Sequence, residues 1–259
     1  MARVNFPKIG SKHSFNSLFD PSKLFEGARK LHIQKKVVLI YNKKLEKQMV
    51  KTLKLRKHKV LAKLYNCDQA YGSKLLKNTI ILKINIGAPL TATIAEEIIQ
   101  IGARELLILG TAGSLNAKIG FGDLVICNKT VRDDGTSHHY LKNSTFAYPD
   151  TGLTRKLSSK MRSIGINFIS GPSWTIDAPY RETPEEVRHY KKKGILTVEM
   201  EASALFAVAV TRKVKAAAIF TISDILDFDS WSGFTKSSKA IRSKRAYPQM
   251  CKIVELFDA

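Results

Sequence analysis

The sequence predicts a single α/β domain, a three-layer αβα sandwich, on three observations. Helical patterns alternate with short apolar runs along the whole chain. Polar clusters fall just past those runs, where open α/β sheets bind ligands. No repeat, low-complexity linker or break in composition divides the 259 residues, so the domain is expected to span 1–259, with 1–35 as an N-terminal extension. At 29.0 kDa and 44% hydrophobic content, the chain is long enough to bury a substantial core.

Asp20-Pro21 supplies an N-cap and first-turn pair for a helix to about Lys30. Lys36 to Tyr41 reads as a first buried strand, with Asn42 beginning the turn out of it. Lys43 to Leu55 has a helical pattern, His58 to Tyr65 alternates like a strand, and Thr79 to Ile86 is a second strong strand ending at Gly87-Ala88-Pro89. Pro89 opens a helix to Ile101 that carries Glu96 and Glu97. Glu105 to Gly110 is a continuous apolar strand suited to the middle of a covered sheet. Thr111-Ala112-Gly113-Ser114-Leu115 then reads as a turn whose small residues let a ligand approach the backbone and whose amides can form an anion-binding concavity.

Gly122 to Cys127 is another strand, running into a polar loop, Val131 to Tyr140. Within that loop Asp133 and Asp134 suit turn formation, and His138 and His139 are an exposed pair with the chemistry for a sugar contact or a proton relay. Asp150 to Ile164 reads as a helix, Ile166 to Ser170 as a strand and Pro184 to Lys193 as a helix, with Trp174 between them as a packing residue. Lys215 to Ile222 is the last buried strand, delivering Ser223 and Asp224 at its end, and Ala240 to Phe257 closes the chain as an amphipathic helix.

Composition narrows the setting. Cys67, Cys127 and Cys251 are odd in number and far apart, so neither a disulfide framework nor a metal site is indicated. The first residues lack the roughly 7–15-residue apolar core of a signal peptide, and no apolar stretch reaches the roughly 20 residues that span a bilayer. A soluble, cytoplasmic protein with no membrane partner is the expectation. Lysine and arginine outnumber aspartate and glutamate by 43 to 22, a net charge of +21 that attracts nucleic acid, anionic lipid or phosphorylated ligands. The excess in Lys43 to Lys63 and Lys236 to Arg245 is interleaved with leucine and alanine rather than stacked aromatics, which favours a solvated helix face over a nucleic-acid partner.

The stretch from Thr197 to Val210 organises the rest. A β-branched pair, Thr197-Val198, meets Glu199-Met200-Glu201 and then an alanine-rich segment that is apolar on nearly every side. Acids at the start of a helix are favoured by its dipole. Carboxylates at the mouth of a dry helix also need a partner for their charge, and a carboxylate has the lone pairs to accept both hydroxyls of a vicinal diol. A sugar would supply that pair.

These pieces occur together in an order and spacing that resemble a known family. Gly87-Ala88-Pro89 with Glu96-Glu97, Leu109-Gly110-Thr111-Ala112-Gly113, Gly122-Asp123-Leu124-Val125, Val131 to Ser137, Val198-Glu199-Met200-Glu201-Ala202 and Ser223-Asp224 resemble the nucleoside phosphorylases of the uridine phosphorylase and purine nucleoside phosphorylase superfamily. The stretch Trp174 to Thr183 is similar to a divergent branch of it. The resemblance implies an αβα sandwich with a mixed central sheet, a homo-oligomer (dimer, trimer or hexamer), and a nucleoside and inorganic phosphate as substrates with no other cofactor and no metal.

It also implies roles. Glu201 matches the carboxylate holding the ribose hydroxyls, Met200 the thioether under the sugar, and Glu199 its supporting acid. Thr111 matches a residue touching ribose and phosphate, Ala112 and Gly113 line the base, and Asp224 matches the catalytic acid that assists departure of a purine base. Tyr180 and Arg181 fall where the family's uracil readers lie. The family's phosphate loop, Gly-Asp-Pro-x-Arg, is replaced by Tyr41-Asn42-Lys43-Lys44-Leu45, and its second phosphate arginine by Ile108. Lys43 and Lys44 are then the candidates for phosphate, as point charges without an arginine fork. The implied activity is phosphorolysis of a nucleoside to free base and ribose 1-phosphate. Its alternatives are a nucleosidase that uses water and a non-catalytic homologue binding nucleosides or nucleic acid.

Overall fold

The computed structural model describes residues 6–9, 12–25, 35–58, 69–227 and 230–259. The expected first helix beyond residue 25, the expected strand His58 to Tyr65 beyond its first residue, and Cys67 lie outside them.

The elements run β1 (Lys36–Ile40), α1 (Lys43–Thr52), β2 (Arg56–Lys57), β3 (Gln69–Ser73), β4 (Leu76–Lys83), α2 (Ala88–Gln100), β5 (Glu105–Ser114) and β6 (Leu124–Asp133). They continue with β7 (Phe146–Ala147), α3 (Thr151–Ser163), β8 (Ile169–Ile176), α4 (Pro184–Lys192), β9 (Thr197–Glu199), α5 (Ala202–Arg212), β10 (Lys215–Leu226), β11 (Trp231–Gly233) and α6 (Lys236–Asp258). Short polar side chains start several helices by meeting amides that have no intrahelical partner. Asn42 accepts from Lys44 and Leu45 at the start of α1, Asp150 from Leu153 at α3, and Thr235 from Ser238 at α6. Thr183 and Glu186 form a reciprocal capping box on α4.

The strands form one mixed sheet, ordered β11-β10-β6-β8-β9-β5-β1-β4-β3-β2, with β7 on β6. β1 lies between β4 and β5 and is parallel to both, as its apolar, doubly covered sequence requires. β10 also pairs in parallel with β5, so β5, β9, β8, β6 and β10 close on themselves at one end of the sheet. One face packs on α2 and α5 through Leu106, Ile108, Phe206 and Phe220. The other packs on α1, α3 and α6 through Leu107, Leu109, Leu157 and Tyr247. The expected αβα layering with a mixed central sheet is therefore the fold.

Several boundaries move. Thr111 to Ser114 is strand, not turn: its residues pair with β10 and, at Gly113 and Ser114, with β9. Its backbone is used by the ladder, so an open anion-binding concavity of consecutive amides does not form there. β6 and β8 likewise run on through Asp133 and Ile176, and β10 through Leu226 past an irregularity between Ile222 and Asp224. β3 and the short strands β2 and β11 were not expected. α6 begins a turn earlier than its apolar pattern suggests because Thr235 caps it.

Candidate active site

Strand register gathers the chemistry. Gly113 on β5 stands opposite Val198 on β9 and opposite Asp224 on β10, so the acid pair after Val198 and the acid on β10 flank one strand. Gly113 has to be glycine: a Cβ there would stand 2.4 Å from Leu226 Cδ1 and 3.0 Å from Asp224 Oδ2 and Val198 Cγ1. Thr111 lies two residues earlier on the same strand, half-buried opposite Thr221. Ala112 points the other way, into the core under α2 and α5.

Glu199 is buried and fully engaged. Its Oε2 accepts from the amides of Glu201 (2.8 Å) and Ala202 (2.7 Å), and its Oε1 from Thr175 Oγ1 (2.5 Å). It thus caps α5 from beneath, two positions before the helix begins. Glu201 is 5% exposed. Its Oε1 accepts from Gly87 N at 2.9 Å and its Oε2 from Met200 N at 3.3 Å. Gly87 presents that amide from a left-handed conformation, φ 114°, at the mouth of α2, which only glycine adopts without strain. Burial, and then the charge of Glu199, push the Glu201 carboxyl up to about 8. Burial likewise raises Glu199, against the pull of its hydrogen bonds.

Further groups fix this centre. Tyr41, at the end of β1, holds its hydroxyl 3.1 Å from Thr91 Oγ1 and is raised by burial and by the charge of Glu201. Asp134 is a turn former as expected, accepting from Ser137 N at 2.6 Å, but it also accepts the Ser203 hydroxyl from the first turn of α5. Arg132 is buried and ties the polar loop together by donating to Ser137 Oγ, Leu141 O, Lys142 O and Ser144 Oγ. Trp174 is buried, as its reading as a packing residue expected, with its Nε1 donating to Asp133. His138 Nε2 lies 3.1 Å from the Arg132 carbonyl, and His139 Nδ1 lies 2.7 Å from Lys12 Nζ.

Asp224 is half-buried and carries two donors, Ser223 Oγ on Oδ1 at 2.6 Å and Trp231 Nε1 on Oδ2 at 3.0 Å. Beside it a cavity of about 290 Å³ opens between the start of α4 and the β10–β11 hairpin, with Glu182 and Trp231 on its lining. Tyr180 and Arg181 sit on a short 3-10 turn, Pro179–Arg181, and are exposed, Tyr180 almost completely; neither lines the cavity. Lys43 lies on a separate groove of about 620 Å³ with Lys47, Lys57 and Lys83, and Thr111 is not on its lining. Lys44 is exposed, its amide bound to Asn42 Oδ1. The structure therefore groups Thr111, Gly113, Glu199, Met200, Glu201 and Asp224, and leaves Tyr180, Arg181, Lys43 and Lys44 at the margin of the single chain.

Sequence reasoning missed Tyr41, Thr175, Trp231 and Glu182 as members of this neighbourhood. Tyr41 alone had a signal, since it opens the stretch that stands in for the family's phosphate loop. Among the described residues no group of His, Cys, Asp and Glu could hold a metal ion, and no helix is long and apolar enough to cross a membrane.

Comparison with known proteins gives a consistent set of relatives. A family model described as the phosphorylase superfamily matches residues 50–257. A guanosine phosphorylase of Halorubrum lacusprofundi is 32% identical over 142 residues, 55% of this chain and 59% of that protein. Uridine phosphorylase of Escherichia coli is 29% identical over 154 residues, 54% of this chain and 61% of that protein. The matched stretch thus spans about three-fifths of the length of these two relatives. In fold, the chain is similar to the crystal structure of purine nucleoside phosphorylase from Toxoplasma gondii in complex with immucillin-H, with a TM-score of 0.75, 19% identity, and coverage of 89% of this chain and 92% of that one.

Proposed function

Because the chain belongs to the phosphorylase superfamily, we propose that it cleaves the N-glycosidic bond of a nucleoside with inorganic phosphate, releasing free base and ribose 1-phosphate. The observation that carries this reading is the pair Glu199 and Glu201. Glu199 spends its lone pairs on the backbone and on Thr175, which fixes Glu201 with one oxygen on Gly87 N and one on Met200 N.

A carboxylate oxygen has more than one acceptor site, so Glu201 can take the two ribose hydroxyls while keeping these amides. Hydroxyl donors favour the charged form, so sugar binding draws the proton off a carboxyl that burial holds neutral. As the C1′–N bond lengthens, its electron pair leaves with the base and positive charge grows on C1′ and the ring oxygen, as in other glycosidic cleavages. The ionised Glu201, fixed through the hydroxyls, stabilises that charge. Asp224, in its acid form, gives its proton to the departing ring nitrogen as a general acid, and a phosphate oxygen closes the new bond at C1′. Thr111 contacts phosphate and ribose, Met200 underlies the sugar, and Lys43 and Lys44 supply positive charge for phosphate. The working form is a homo-oligomer, with phosphate as co-substrate and no other cofactor.

A second reading, a nucleosidase with water as the nucleophile, has an observation of its own. Ile108, at the position of the family's second phosphate arginine, is fully buried in the apolar core. The deciding experiment incubates the protein with mixed nucleosides, with and without phosphate, and identifies the sugar product. Ribose 1-phosphate formed only when phosphate is present supports phosphorolysis. Free ribose in its absence replaces it with hydrolysis, and no base release from any nucleoside rejects both.

A further inference from the structure

The cavity beside Asp224 has a mostly apolar wall and a sparse set of polar groups, the usual make-up of a small-molecule subsite. Pro179, Pro184 and Val187 form one side, Leu226 and Trp231 the other. Trp231 is fixed edge-on by the bond from its Nε1 to Asp224, so its ring is a flat wall that ends at the acid. Two further carboxylates reach the lining. Asp227 is neutralised by Lys191 at 2.9 Å. Glu182 is half-buried, and among the described residues no cation or hydrogen-bond donor meets its carboxylate. Burial, and then the charges of Asp224 and Glu186, raise it to about 7. A carboxylate left in such surroundings gains from any ligand that brings N–H donors.

We propose that this cavity is the base subsite and that Glu182 is its specificity-determining residue, selecting a purine that presents two adjacent N–H donors, as guanine does with N1–H and its 2-amino group. The inference rests on the reading of Glu201 and Asp224 given above. A planar base lying along Trp231 has its imidazole edge towards Asp224 and its six-membered edge towards Glu182. A carboxylate accepts two parallel N–H bonds side by side, the arrangement that makes such pairs strong. Adenine presents a lone pair at N1 and is repelled; hypoxanthine supplies one donor of the two. Uracil offers a single N–H between carbonyls, and it has no nitrogen equivalent to N7 for Asp224.

The test is the kcat/KM of base release in phosphate for guanosine, inosine, adenosine and uridine, with the full chain and with Glu182→Gln. Guanosine is expected to exceed adenosine by about 100-fold or more, with inosine between them, because a site built for N–H donors rejects a base without them. Glu182→Gln is expected to bring guanosine and adenosine within about tenfold of each other, chiefly by lowering guanosine. Faster turnover of adenosine or uridine, or an equal loss on all four nucleosides in the variant, overturns the assignment. Calorimetric binding of the same nucleosides to both proteins without phosphate separates the two levels of inference. Guanosine-selective binding that depends on Glu182, without base release, sinks the catalytic reading and keeps this one. Base release without guanosine preference does the reverse.

Discussion

Replacing Glu201 by glutamine should change how stability depends on pH, and the size of the change follows from the burial of this carboxyl. Its ordinary value is 4.5 and the fold raises it to about 8, by desolvation first and by Glu199 second. The folded value lies above the unfolded one, so between these pH values the native chain holds a proton that the unfolded chain has released. The stability from this group is therefore complete below about pH 4.5 and is lost as pH climbs through about 8. At about 1.4 kcal/mol per pH unit, the loss is on the order of 4–5 kcal/mol. Glutamine does not titrate and cannot lose it. It does turn an amide NH2 towards one of the two backbone donors, Gly87 N or Met200 N, a constant cost of about 1–3 kcal/mol. Urea unfolding of both proteins from pH 4.5 to 8 separates the two effects, because the amide cost shifts the whole curve and the carboxyl changes its slope. The variant should gain on the wild type steadily across this interval while losing base release. Parallel curves would show that Glu201 is ionised in the empty fold and would refute the reasoning from burial.

Two other substitutions probe the frame around the site. Arg132→Ala leaves Leu141 O, Lys142 O and the hydroxyls of Ser137 and Ser144 without their shared donor; about 2–4 kcal/mol of unfolding free energy should be lost in urea titration, and Arg132→Lys should restore little because an ammonium lacks the planar fork. Gly113→Ala drives a methyl group against Leu226, Asp224 and Val198; about 1–3 kcal/mol should be lost to overpacking, with a further fall in turnover through displacement of Asp224.

The fold was legible where residues are buried on both sides of the sheet. Val37 to Ile40 and Leu106 to Leu109 are apolar without interruption because helices cover both faces, and that signal needs no context. It faded where a strand runs into small and polar residues. Thr111 to Ser114 has turn composition, yet pairing with β10 and β9 outweighs local preference. β2 and β11 have two and three residues, too few for a pattern. In the site, Glu199 and Glu201 stood out because acids beside a dry helix are costly. Their partners did not, since Gly87, Thr175 and Tyr41 come from other elements and are recognisable only once the sheet brings them near. Trp231 read as an ordinary surface aromatic until its Nε1 was seen on Asp224.

The chain has two tryptophans, and they report on different places. Trp174 is sealed in the core against Tyr190. Trp231 is 54% exposed and shares its indole proton with the acid at the end of the sheet. Indole fluorescence in this protein thus comes from one shielded emitter and one whose surroundings alter when anything settles next to that acid. The molecule carries a label-free optical probe with its own internal reference, and occupancy can be followed in the native chain even with substrates that give no coloured product.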